Sequence, residues 1–183
     1  MNVWKGYLRW RHSRAYGVHS PYAYQFVKSV VRPGHYGYYA YENIDQFLRK
    51  EERDDYKFIR LVRFTIRLSI FLRIKKIIYS KSEERLAFVT AKSLHIPSEE
   101  IRNIKDQKYR EDNLLLIGKG DIEDSELKPL MKFHIPIFAV SPDQKIRQLL
   151  EIPLSKGLLI NGRHRMILIT RKEMEYVAYD MKL

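Results

Sequence analysis

The sequence predicts an α/β domain: a mostly parallel sheet with an antiparallel C-terminal hairpin, preceded by N-terminal helices. From residue 76 onward, short apolar runs alternate with amphipathic stretches, which is how βαβ units of a parallel sheet read. The last 26 residues hold several apolar runs with no room for crossover helices, and an Asn161-Gly162 pair between two of them signals a hairpin. Before residue 76 the apolar spacing is helical.

Taken in order, residues 2–12 read as a short amphipathic helix with Val3, Trp4, Tyr7 and Leu8 on one side. Gly17 permits a sharp turn, Ser20 is a good N-cap and Pro21 suits the first helical position, where its missing N–H is not needed. The helix so begun spans residues 21–31, with Tyr22, Phe26 and Val30 on one face, and Arg32-Pro33-Gly34 ends it. Residues 41–52 predict another helix, burying Ile44, Phe47 and Leu48. A long helix follows over residues 54–72, with Asp54 and Asp55 at its positive dipole end. Arg60, Arg63 and Arg67 form a narrow stripe on it, read first as the wet edge of a packed helix and second as a nucleic-acid contact.

Strands are predicted at 76–80, weakly at 101–104, strongly at 113–117, and at 136–140. Helices fill the intervals at 82–94 (capped by Ser82), 124–133 and 142–150. The register of the C-terminal runs stays open, because GLLING and RMILIT fit two strands or one bent strand. The chain divides into a basic, aromatic-rich helical segment, 1–53, and an α/β domain, 54–183.

Net charge is +12. Residues 1–41 carry six Lys or Arg (Arg9, Arg11 and Arg14 among them) and no acid, with eight of the thirteen tyrosines and both tryptophans. Such a surface suits phosphate backbones and stacked bases, or anionic headgroups, and equally a solvated basic face. With no cysteine there is neither a disulfide framework nor a thiolate metal site. The six histidines show no HExxH or HxH spacing, and there is no Gly-x-Ser-x-Gly elbow, so no metal is predicted. The N-terminus lacks an uninterrupted apolar core, and the most apolar stretch, 58–78, contains six basic residues, so no transmembrane segment is expected and the chain reads as cytoplasmic.

The stretch YLRWRHSRAYGVHSPYAYQFVKSVV, with its Gly17-Val18-His19-Ser20-Pro21 turn, and the later YYAYENIDQFLRK carry a resemblance. Together they resemble the opening of a bacterial family of class I S-adenosylmethionine-dependent methyltransferase-like proteins, with a His-Gly-Val-His-Ser-Pro-Phe-type turn. Tyr16 replaces the first His of that turn and Tyr22 the Phe. The resemblance covers about residues 7–50 and implies a Rossmann-like fold. It also implies a glycine-rich loop after the first strand, an acid at the end of that strand, and an Asp-Gly-Asn-His-like run after a later one.

This chain departs from all three. After KIIYS come Lys81-Ser82-Glu83-Glu84-Arg85, and no glycine occurs between Gly37 and Gly118. Tyr79 and Ser80 stand where the acid is implied, and Leu116-Ile117-Gly118-Lys119-Gly120-Asp121 replaces the later run. Ser80, Lys81, Asp106, Gly118 and Asp121 remain as weak candidates for cofactor contacts, with Asp106 placed to hold a ribose hydroxyl. His19 is a lesser functional candidate, against stacking on Tyr24 or satisfying the turn.

The preferred expectation is a methyltransferase-like protein that has lost its cofactor and serves as a non-catalytic binding or scaffold protein, with a protein or nucleic-acid partner. An active methyltransferase with an atypical site and a nucleic-acid-binding protein using the basic N-terminal segment are the alternatives. A weaker one places Trp4 and Trp10 at a membrane surface. The sequence is compatible with a homo-oligomer.

Overall fold

Seven strands form one sheet in the order β2-β1-β3-β4-β6-β5-β7. The computed structural model describes residues 7, 11–12, 14–15, 17–33, 38–101, 109–120, 129, 134–151, 156–170 and 175–183. The strands are β1 Lys76–Tyr79, β2 Ser98–Glu100, β3 Asn113–Ile117, β4 Ile137–Val140, β5 Leu158–Asn161, β6 Arg165–Ile169 and β7 Val177–Asp180. The helices are α1 Pro21–Phe26, α2 Tyr39–Glu42, α3 Ile44–Phe47, α4 Lys50–Arg53, α5 Tyr56–Leu72, α6 Glu84–Leu94 and α7 Gln144–Leu150.

Pairing is parallel from β2 through β1 and β3 to β4, and again between β5 and β7. Only β6 runs the other way, between β4 and β5. The C-terminal runs are therefore two strands, Asn161 opposite Met166. They form the expected antiparallel hairpin; its reversed strand lies inside the sheet, and a parallel strand, β7, closes the edge. Asn161-Gly162 finishes β5, and the Gly162 N–H donates to the Arg165 carbonyl at 2.8 Å across Arg163 and His164.

β3 explains why its run was the clearest strand: all five residues are buried. Its side chains alternate between two layers, as the period of two demands. Leu114 and Leu116 join Ile77, Phe138 and Ile167 beneath Phe26, Val62, Ile66 and Val89 of the helices. Leu115 and Ile117 join Ile78, Ile137 and Leu168 against Ile146 and Leu150 of α7. The N-terminal helices thus share their core with the sheet.

Several helices differ from expectation. Ser20 does cap α1, accepting the Ala23 N–H at 3.3 Å, but past Phe26 the helix widens into a π-helical turn, Val27–Val31. The buried face is Ala23, Phe26, Val27 and Val30, while Tyr22 packs beside Phe71. The predicted 41–52 helix is broken at Leu48 and Arg49, both extended, so that Leu48 enters the core. Asp55 caps α5 by accepting the N–H groups of Lys57 and Phe58, and Arg73, left-handed at φ 57°, ends it. Ser82 does not cap α6: Lys81–Glu83 form a 3-10 turn first, and Ser82 points elsewhere. The strand expected at 101–104 lies, apart from Ile101, outside the described residues; a strand the sequence did not predict runs over Ser98–Glu100, where Ile77, Ile78 and Tyr79 supply the pairing edge. The helices expected at 2–12 and 124–133 fall mostly outside the described residues.

Candidate functional site

In an open α/β sheet, ligands sit at the carboxyl ends of the strands, where the chain order reverses. Here the chain goes from β1 outward to β2 and then back across to β3, so the reversal lies between the ends of β1 and β3. Ser80 follows β1 and is 3% exposed. Its hydroxyl accepts the Gly118 N–H at 3.0 Å, its own N–H donates to the Leu116 carbonyl at 2.9 Å, and its carbonyl accepts the Glu83 N–H at 2.8 Å. Backbone groups that a ligand would use are already paired.

Gly118 shows how tightly this place is filled. A Cβ there would stand 1.8 Å from the Ser82 hydroxyl and 2.7 Å from a Glu83 carboxylate oxygen. The exposed Ser82 hydroxyl and the Glu83 carboxylate thus stand over the glycine. Glu83 and Glu84 further place two acids at the start of α6, where they complement the helix dipole.

Ser80, Lys81 and Gly118 thus come together as the sequence suggested, with Lys81 exposed. Asp106 and Asp121 lie outside the described residues. The acid that does end a strand beside β1 is Glu100, opposite Tyr79. Sequence reasoning missed it because no strand was expected at 98–100; the signal was its position about twenty residues beyond the β1 turn.

Beneath the crevice Arg85 ties α6 to the N-terminal helices. Its Nε donates to both Glu52 oxygens at 2.7 and 2.9 Å, and Nη2 reaches Glu52 at 2.6 Å and the Phe47 carbonyl at 2.5 Å. Arg85 hydrogen bonding holds the Glu52 carboxyl below its usual range, against the opposing effect of burial.

The Gly17–Pro21 turn has a docking role. Gly17 is left-handed at φ 75°. The Ser20 N–H donates to the Tyr179 hydroxyl at 3.4 Å, His12 Nδ1 donates to the Asp180 carbonyl at 3.0 Å, and the His12 ring meets Tyr179 edge-on. Val18 packs on the core and His19 is exposed. The segment is thereby pinned to the end of β7.

A second feature occupies the other half of the same sheet edge. A cavity of about 450 Å³ lies between α5, the start of β6 and the residues after β7. Lys57, Arg60, Phe64 and Arg67, spaced three and four apart on one face of α5, form one wall; Arg32, Arg165 and Lys182 contribute the others. Arg67 is positioned by donating to the Val30 carbonyl at 2.8 Å and the Tyr41 hydroxyl at 2.9 Å. Burial raises the Tyr41 phenol, with Arg67 opposing. Arg165 is lowered from the ordinary guanidinium value by burial first, then by repulsion from Arg60 and Arg67.

Of the basic candidates, Arg60 and Arg67 line this open cavity, Arg60 remaining exposed and Arg67 half-buried. Arg63 faces out over the Tyr41 ring at 5.5 Å, and Arg11 lies over Tyr7 at 5.8 Å. Arg14 is exposed and Arg9 is outside the described residues. No three His, Asp or Glu side chains converge to hold a metal among the described residues. Among those residues, no helix is long and apolar enough to cross a membrane. Comparison with family models, curated proteins and solved structures yields no match for this chain.

Proposed function

We propose that the chain is a methyltransferase-like α/β domain that has lost S-adenosylmethionine and works as a non-catalytic binding or scaffold protein. The parallel sheet with its reversed strand and preceding helices supports the resemblance drawn from the Gly17–Pro21 turn. The observation that carries the loss is the sealed gap between β1 and β3, where the Ser82 hydroxyl occupies the space a Cβ on Gly118 would need. Adenosine requires close approach to backbone, and a hydroxyl and a carboxylate stand in its way. Calorimetric titration with S-adenosylmethionine and S-adenosylhomocysteine tests this. No heat of binding is expected up to millimolar ligand, and micromolar binding of either overturns it.

One observation favours an active methyltransferase with an atypical site. Glu100 stands at the end of β2, where a carboxylate can hold ribose hydroxyls. On that reading the cofactor binds, and Glu100→Gln weakens it at least about tenfold, the loss of a charge-assisted hydrogen bond.

A further inference from the structure

The cavity beside α5 has a composition that a structural role does not account for. Among the described residues six cationic side chains line it (Arg32, Lys57, Arg60, Arg67, Arg165 and Lys182), with Val31, Phe64 and Leu183 and with no Asp or Glu. The side chains of Arg32, Lys57, Arg60, Arg165 and Lys182 make no hydrogen bond or ion pair with any described residue. Arg67 uses two of its five N–H donors on Val30 and Tyr41, which fixes the guanidinium and leaves three. Gathering like charges on several walls of one concavity works against folding unless an anion answers them.

We propose that this cavity binds a small molecule bearing two or more linked phosphates. A single phosphate carries at most about two negative charges near neutrality, and the cations are spread over the α5 wall, the β6 start and the end of β7. A chain of phosphates reaches all three. The volume falls within the roughly 300–1,000 Å³ of small-molecule sites. Arginine supplies forked donors for phosphate oxygens, and four of the six cations are arginines.

The cavity is poorly made for nucleobases. Phe64 is the single aromatic residue among its described lining, 4% exposed, with the guanidinium groups of Arg67 and Arg165 each 5.7 Å from its ring centre. No open ring face is left for the stacking that single-stranded nucleic acids use. The proposal is independent of the lost methyltransferase cofactor, whose titration can succeed or fail separately.

Calorimetry at low salt, about 50 mM, with sodium pyrophosphate, sodium tripolyphosphate, ATP and short single-stranded DNA and RNA tests it. Tripolyphosphate is expected to bind at micromolar concentration, one per chain, and more tightly than pyrophosphate. Arg165→Met and the exposed Arg60→Gln are each expected to weaken it at least about tenfold. Arg110→Gln, an exposed arginine before β3, removes the same charge and leaves binding unchanged. Equal affinity for ATP and tripolyphosphate assigns recognition to the phosphates alone, and tighter ATP binding assigns the source as a nucleotide. The proposal is overturned by no binding of any polyphosphate, by equal weakening in Arg110→Gln, or by oligonucleotides binding where tripolyphosphate does not. Circular dichroism establishes that each variant is folded, and Arg60→Gln serves if Arg165→Met is not.

Discussion

The two halves of the sheet's carboxyl edge are built on opposite principles. Between β1 and β3, the polar groups of Ser80 and the Gly118 N–H are joined in short hydrogen bonds and side chains fill the remaining space. Beside β6 and β7, cations face one another across an open volume with no Asp or Glu among its described lining. A region whose polar valences are satisfied internally gains nothing from a ligand. One that concentrates unneutralised charge does. The proposed polyphosphate site therefore lies along the same sheet edge, apart from the position the family resemblance implies. Deleting a polar group should then destabilise the first half and leave the second unharmed.

The largest effect is expected at the pair that holds the N-terminal helices under the crevice. Side chains of Glu52 and Arg85 are only 15% and 24% exposed, so breaking the pair leaves a largely buried charge. Glu52→Gln should cost about 3 kcal/mol in urea unfolding, with an unchanged denaturant slope. The same pair predicts an acid sensitivity. The folded Glu52 carboxyl is depressed below its ordinary 4.5, so its contribution is present above that value. It is lost as pH falls through the lower folded value. The difference between wild type and Glu52→Gln should shrink below about pH 4.5 and stay constant above pH 6. A gap that persists at the acid end would disprove the assignment.

Next in size is the packing over Gly118. Gly118→Ala forces its Cβ onto Ser82 and Glu83 and should cost about 2 kcal/mol, as overpacking does. Adding Ser82→Gly removes the nearest obstacle and should recover more than half of that loss. A double variant as unstable as the single one would mean that Ser82 is not what seals the gap. Ser80→Ala is the smaller insult to the same region: it orphans the buried Gly118 N–H at about 1–2 kcal/mol.

The two halves differ in how much of them the sequence announces. The glycine-free turn after KIIYS is visible in the sequence because that requirement is local. What sequence could not supply was the partner: Ser82 meets Gly118 across thirty-six positions, and nothing in either neighbourhood announces it. Sheet strands were found where the apolar run was long and fully buried, as in NLLLI. β2 was not foreseen because Ser98-Glu99-Glu100 has no apolar residue; its place is set by hydrogen bonds to β1 and by the pairing of Lys76 with Glu99. The cavity was hidden for a different reason. Periodicity puts Arg60 and Arg67 on one face of α5, yet a flat solvated face and an open cavity look alike from within a helix. Arg165, the residue that distinguishes them, stands a hundred positions away and arrives only because β6 is reversed.

That arginine gives the smallest expected effect and the sharpest contrast between the halves. Arg165 is partly desolvated and repelled by Arg60 and Arg67, and both penalties vanish in Arg165→Met. Against them stands the loss of its contact with the Phe64 ring, worth about 0.5–1 kcal/mol. The methionine can keep the apolar packing of the arginine stem, so the balance should favour the variant by a few tenths of a kcal/mol at low salt. For a chain of this size that raises the melting temperature by roughly 1–2 °C. Salt should then separate the two proteins. Wild type gains stability as cation repulsion is screened, and the variant gains less, so the curves converge near physiological ionic strength, where the Debye length is about 8 Å. Tripolyphosphate should invert the order, because a ligand stabilises only the protein that binds it. If Arg165→Met instead melts several degrees below wild type in low salt without ligand, the cations of this half are structural, and the contrast with the Ser80–Gly118 half fails.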